Sequence, residues 1–186
     1  GKLEKSYATG ESFRAQPVVQ DGWIYAGTTN GKVVAINTQN ADLTGWPMWG
    51  KDGSRNMVSD EKKITFDFVA GEMSDDEVVD MKTTKNLRWV AKLGSQAYGN
   101  VTIGNGCVFV GTNNESPRDP GKKGDRGVVM CLDEKSGELK WQLVIPKLGA
   151  GKVSDWEYIG ICSSTAIDGD KVYVVTNRCE VVCLDI

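Results

Sequence analysis

One pattern occurs three times in this chain, and it limits the possible folds more than any other property. The first copy runs from Gln20-Asp21-Gly22-Trp23-Ile24-Tyr25-Ala26-Gly27-Thr28 into Gly31-Lys32-Val33-Val34-Ala35-Ile36-Asn37. The second runs from Gly104-Asn105-Gly106-Cys107-Val108-Phe109-Val110-Gly111-Thr112 and resumes at Gly127-Val128-Val129-Met130-Cys131-Leu132-Asp133. The third runs from Asp168-Gly169-Asp170-Lys171-Val172-Tyr173-Val174-Val175-Thr176 into Cys179-Glu180-Val181-Val182-Cys183-Leu184-Asp185. Without internal gaps, the aromatics Tyr25, Phe109 and Tyr173 align, as do Thr28, Thr112 and Thr176. Once the 115–126 loop is set aside, so do the small residues Ala35, Cys131 and Cys183. Self-similarity at a fixed period is the signature of a repeat architecture.

Each copy holds two apolar strands joined by turn residues, with a further short strand ahead of it: residues 15–19, 99–103 and 163–167. Behind the second copy comes Gly137-Glu138-Leu139-Lys140-Trp141, echoed by Asn86-Leu87-Arg88-Trp89 and, without the Trp, by Gly1-Lys2-Leu3-Glu4-Lys5. Four short strands per unit describe an up-and-down antiparallel sheet. Leaving out 38–85 and 115–126 gives 126 residues, or 42 per unit, the length of a β-propeller blade. In Val129-Met130-Cys131-Leu132 and Val181-Val182-Cys183-Leu184 both alternating faces are apolar, so each face needs a covering neighbour. The expected fold is therefore all-β, with about three blades of four antiparallel strands. The division is 1–37, a blade; 38–85, an insertion with an acidic linker; 86–133, a blade carrying a loop at 115–126; and 134–186, a blade. Three blades are fewer than the roughly four to eight that close a ring. The expectation is a fragment or subunit whose ring is completed by remaining blades or another polypeptide.

Composition removes several function classes. There is no histidine, which excludes His-based triads, His metal sites and His haem ligation. The five cysteines include no CxxC pair and no adjacent pair, so structural zinc has no motif. The net charge of −3 conceals an acidic tract at 59–85, with eight acids against four lysines. The rest is near neutral and lacks the clustered basic face that nucleic acid requires. No apolar run approaches the roughly 20 residues of a membrane span.

Few residues stand out as candidates for chemistry. Cys179 and Cys183, in or beside a strand, would lie roughly 13 Å apart and share neither an ion nor a disulfide. Cys131 and Cys183 occupy the position of Ala35 and read as buried core thiols, whereas Cys107, at a variable strand start, reads as the accessible one. Asp75-Asp76-Glu77 with Asp80 has the hard oxygens that Ca²⁺ favours but lacks a Gly turn and regular spacing, so it reads as a solvated linker. Trp89 and Trp141 hold the repeat's Trp position and read as packing between blades. Trp46 and Trp49 lie in the insertion and are the first choice for a ligand or partner surface, with Arg55. On the loop, Arg118, Lys122, Lys123 and Arg126 belong to the same candidate surface.

The motifs Asp133-Glu134-Lys135-Ser136-Gly137-Glu138-Leu139-Lys140-Trp141 and Asp21-Gly22-Trp23-Ile24-Tyr25-Ala26-Gly27 resemble the repeat of pyrroloquinoline-quinone-type (quinoprotein-like) β-propellers. Trp46-Pro47-Met48-Trp49-Gly50 resembles a segment between blades in bacterial members of planctomycete type. The resemblance implies a propeller and an extracytoplasmic, periplasmic setting. It does not choose between quinone-dependent dehydrogenases and cofactor-free scaffolds. Those dehydrogenases carry an adjacent Cys-Cys disulfide on the quinone, a Trp beneath it and a bound Ca²⁺, and no two cysteines adjoin here. The leading expectation is thus a non-catalytic scaffold or protein-interaction module without cofactor. The alternative is part of a dehydrogenase whose quinone and calcium sites lie on other blades, and a Trp46/Trp49 carbohydrate site is a third reading.

Overall fold

The computed structural model describes residues 18–20, 23–28, 30–37, 45–59, 67–75, 78–149 and 156–186. The Gly1–Lys5 strand expected from the repeat lies outside them, as do Asp76 and Glu77. Eleven strands are described: β1 Val18–Gln20, β2 Trp23–Gly27, β3 Lys32–Asn37, β4 Leu87–Lys92, β5 Thr102–Gly104, β6 Cys107–Asn113, β7 Arg126–Asp133, β8 Leu139–Pro146, β9 Ala166–Asp168, β10 Lys171–Val175 and β11 Val181–Asp185. They form three antiparallel sheets in simple chain order: β1-β2-β3-β4, β5-β6-β7-β8 and β9-β10-β11. The all-β blade architecture read from the repeat is the fold observed.

The aligned residues are cross-strand partners. Tyr25 faces Ala35, Phe109 faces Cys131 and Tyr173 faces Cys183. In the first two sheets the small residue also faces the Trp of the fourth strand, Ala35 to Trp89 and Cys131 to Trp141. A small side chain there lets the flanking rings meet over it: Tyr25–Trp89 centroids lie 5.9 Å apart and Phe109–Trp141 centroids 5.8 Å apart, both tilted, within the favoured range for aromatic pairs. A register shift follows the small residue in both sheets. One blade thus reproduces the other down to its irregularity.

The Trp strands β4 and β8 hydrogen-bond to the pair that precedes them. The first sheet therefore takes in residues on both sides of the insertion, with β4 joining β3 across it, and the second continues past Asp133 into β8.

The middle sheet is covered on both faces, so β7 is buried from Gly127 to Leu132. On one face Val33, Ala35, Trp89 and Ala91 meet Val108, Val110, Val128 and Met130. On the other, Phe109 and Cys131 meet Ile167 and Val172, while Val129 meets Ile161 and Val174. Polar ties cross both seams. Trp89 Nε1 donates to the Glu134 carbonyl at 3.0 Å, and the buried Thr102 and Thr165 hydroxyls bond each other.

Turn chemistry completes the first seam. Asp133 Oδ1 accepts from the Lys135 and Ser136 amides, both at 2.9 Å, which holds its carboxyl below the usual carboxylate range. Gly137 has φ +74°, and a Cβ there would stand 2.5 Å from the Trp89 ring. Glycine answers both the left-handed backbone and the ring packed against it.

Candidate interaction surface

The two insertion tryptophans separate. Trp49 is 47% exposed on a turn, with the Arg55 guanidinium 5.6 Å from its ring centroid and Arg55 Nη1 donating to the Trp49 carbonyl at 2.7 Å. Trp46 is 4% exposed and packs in the core between the first two sheets. Its carbonyl accepts from Ile103 N at 2.9 Å, and the Pro47 carbonyl accepts from Ile167 N at 2.7 Å. The Trp46-Pro47 segment is thereby fastened to β5 and β9, the first strands of two sheets. This corrects the placement of Trp46 on a partner surface: an indole buried at that joint presents nothing to solvent.

The 115–126 loop is pinned from within. Asn114 is 4% exposed and its amide donates to the carbonyls of Lys122 and Gly124. Lys122 pairs with Asp119 at 3.8 Å and Arg126 Nε donates to the Lys123 carbonyl at 3.0 Å. At the loop's base, Asp125 Oδ2 accepts from Tyr158 N at 2.7 Å and pairs with Lys147 at 3.3 Å, binding it to the connection into the third sheet. Lys123 is exposed. Arg118 leaves the loop and donates through Nη2 to the carbonyl of Lys92, the last residue of β4, at 2.5 Å. Trp49 with Arg55, Arg118, and the Lys122/Lys123/Arg126 group therefore occupy three different places.

Arg118 reaches the feature that the motifs did not reveal. A groove of about 620 Å³ lies along β4, lined also by Val78, Met81, Leu132, Gly137 and Leu139. Its bases are Lys32, Arg88, Lys92 and Arg118, against one acid, Glu138. A second cavity of about 490 Å³ shares Lys32 and Lys92 and is bordered by Glu115. Lys32 and Lys92 are direct cross-strand partners. Only the β3–β4 pairing brings them together. In sequence they stand on either side of the insertion.

The thiols also depart from expectation. Cys131 is buried, as its alanine position implied. Burial, reinforced by a hydrogen bond with Cys107, pushes its thiol up to about 12 from 9.0. Cys107, expected to be accessible, is buried in the core that joins the second and third sheets, with Lys140 Nζ on its sulfur at 3.2 Å. Cys183, expected to be buried, is exposed because, among the described residues, no fourth strand lies against β11 to bring a Trp over it. Maleimide labelling at neutral pH should modify Cys162, Cys179 and Cys183, with Cys107 and Cys131 reacting only after denaturation. Mass spectrometry of labelled peptides checks this, and fast native labelling of Cys107 would refute its burial. Since Cys131 is harder to ionise folded than unfolded, its contribution to stability is complete below pH ~9. It is lost as pH rises through ~12.

Among the described residues, no three of His, Cys, Asp or Glu are grouped to hold a metal ion. Asp80, one of the suggested calcium ligands, has its Oδ1 on Lys82 N at 2.9 Å, capping the 3-10 turn Met81–Thr83. No helix among the described residues is long and apolar enough to cross a membrane.

Comparison with known proteins adds three findings. Residues 65–186 match the family model described as "Outer membrane protein assembly factor BamB". The chain is 28% identical over 134 residues to the outer membrane protein assembly factor BamB of Alteromonas naphthalenivorans, a match that takes in 72% of this chain and 23% of that protein. It thus spans about a quarter of the curated relative. Solved structures similar to it include a europium-containing methanol dehydrogenase, with a TM-score of 0.45 and 14% identity over 87% of this chain and 25% of that one. BamB from Moraxella catarrhalis gives a TM-score of 0.38 and 11% identity over 99% of this chain and 53% of that one.

Proposed function

We propose a scaffold role from one premise: this chain belongs to the family of outer membrane protein assembly factor BamB. In this reading the blades form part of a non-catalytic propeller that holds protein partners outside the cytoplasm, with further blades or another polypeptide completing the ring. The family match carries the proposal, and the use of the repeat's Trp supports it. Trp89 is a packing element whose ring lies on the turn of the next sheet and whose Nε1 is committed to the Glu134 carbonyl. Exposed chemistry sits instead on what interrupts the repeat, at Trp49, Arg55 and the 115–126 loop.

The test is quinone titration of the full-length protein with Ca²⁺ present, read by absorption and by thermal midpoint. The scaffold reading expects no bound quinone band and no shift. Stoichiometric uptake with a raised midpoint would replace it with the dehydrogenase reading.

A further inference from the structure

We propose that Cys107, Cys131 and Lys140 form a binding site for one copper(I) ion, bridged by the two thiolates and neutralised by the lysine. The proposal goes beyond the scaffold reading and does not depend on it.

The strands bring the two sulfurs together. Cys107 lies opposite Asp133 and Cys131 opposite Phe109, so the cysteines are diagonal neighbours on one face of β6 and β7. Cys131 hydrogen-bonds Cys107. Diagonal neighbours stand about 7–8 Å apart, beyond the roughly 6.8 Å between Cα atoms that a disulfide spans. An ion between the sulfurs asks for less approach, because two metal–thiolate bonds of about 2.3 Å hold them about 4.6 Å apart. The spacing disfavours an S–S bond and suits an S–metal–S bridge.

The ligand set selects the ion. Zinc takes four ligands, and among the described residues no third Cys, Asp or Glu joins the pair. Copper(I) is soft, prefers thiolates and is satisfied by two of them in line. On two thiolates it carries one net negative charge, and a buried charge needs a partner. Lys140 supplies it. Its Nζ donates to Cys107 Sγ at 3.2 Å, and that hydrogen bond holds the ammonium above the usual lysine range.

The surroundings favour the same ion. Both thiols are buried, in a cluster with Phe109, Ile167 and Val172 and against Trp141. An apolar shell of this kind limits solvent access, which protects copper(I) from oxidation. Entry is by way of Lys140, an exposed residue that touches the sulfur and lines a cavity of about 650 Å³ together with Gly106, the neighbour of Cys107. As its side chain swings aside the ion enters, and the two thiol protons pass to solvent when the sulfurs bind. The copper does not change oxidation state.

Competition with bicinchoninate, whose copper(I) complex is coloured, tests this without oxygen. The reduced full-length protein carries Cys162→Ser, Cys179→Ser and Cys183→Ser, which removes the three exposed thiols. The expected result is one copper(I) withdrawn from the chelator, two sulfur ligands in the copper X-ray absorption spectrum, and no uptake of Zn²⁺ at these thiols. Cys107→Ser and Cys131→Ala should each lose this ion. Cys131→Ala gives the second sheet the residue that the first already has at Ala35, so its packing is retained, and circular dichroism of every variant controls for folding. Lys140→Gln should bind about tenfold or more weakly, the loss typical of removing a group that supports metal ligands. A lysine with only a structural role would leave that affinity unchanged. No withdrawal of copper, withdrawal that survives in folded Cys131→Ala, or an unchanged affinity in Lys140→Gln would overturn the proposal. So would a thiol titration showing that Cys107 and Cys131 close into a disulfide and leave copper unbound.

Discussion

Replacing Trp89 by alanine should lower unfolding stability by about 3–5 kcal/mol, the range for deleting a buried aromatic. The ring is 5% exposed, meets Tyr25 and lies against Gly137 of the next sheet. The substitution therefore leaves a cavity at the joint of two sheets and removes the Nε1 donor from the Glu134 carbonyl. Trp89→Phe separates the two contributions. It keeps an apolar ring over Ala35 but not the donor, and should lose about 1 kcal/mol through the hydrogen bond, with a further cost for volume. Urea midpoints of the wild type and both variants provide the measurement. A loss below about 1 kcal/mol in Trp89→Ala would show that the indole does not join the sheets.

This joint also shows how far the sequence could be read. The alignment of Tyr25 with Phe109 and of Ala35 with Cys131 was visible because the repeat imposes the same cross-strand contacts in each unit. A small residue between two rings is needed wherever those rings meet. The pattern therefore recorded a packing rule within a sheet, and the strands followed from it.

Relations between sheets left no comparable trace. Cys107 aligns with Trp23 and Lys171, which suggested a variable, accessible position. Its burial comes from the third sheet and from Lys140, neither of which belongs to the local motif. Cys183 aligns with two buried residues but is exposed, because burial there depends on a strand beyond β11 and not on the identity of Cys183. Trp46 looked free because it stands in an insertion. Its neighbours, however, are Ile103 and the core between the first two sheets. The Lys32–Lys92 pair was illegible for the same reason: the pairing that creates it spans 60 residues of chain.

The second seam should fail at Gly160. This residue has φ +71°, and a Cβ on it would stand 2.3 Å from the Thr112 carbonyl oxygen and 2.6 Å from Asn113 N. Both are backbone atoms of β6, which cannot rotate aside as a side chain would. Beside it, Ile161 N donates to that same carbonyl at 3.2 Å. The Ile161 side chain is 1% exposed and fills the core with Val129 and Val174. Gly160→Ala thus combines a left-handed strain of about 1–3 kcal/mol with a clash that displaces Ile161 from both its hydrogen bond and its core. A total loss above about 3 kcal/mol places it among the exceptional substitutions. Gly149→Ala, where nothing lies within 4 Å and φ is not left-handed, should stay within about 0.5 kcal/mol. Hydrogen exchange adds spatial resolution, because cooperative units can open separately. Amides of β9 and β10 should lose protection first in Gly160→Ala while those of β2 and β3 keep theirs, since the first seam is held by Trp89 and contains no atom of residue 160. Equal loss across all three sheets would mean that the seams open together. A wild-type midpoint would mean that β6 and the 156–160 connection do not meet as closely as these distances require.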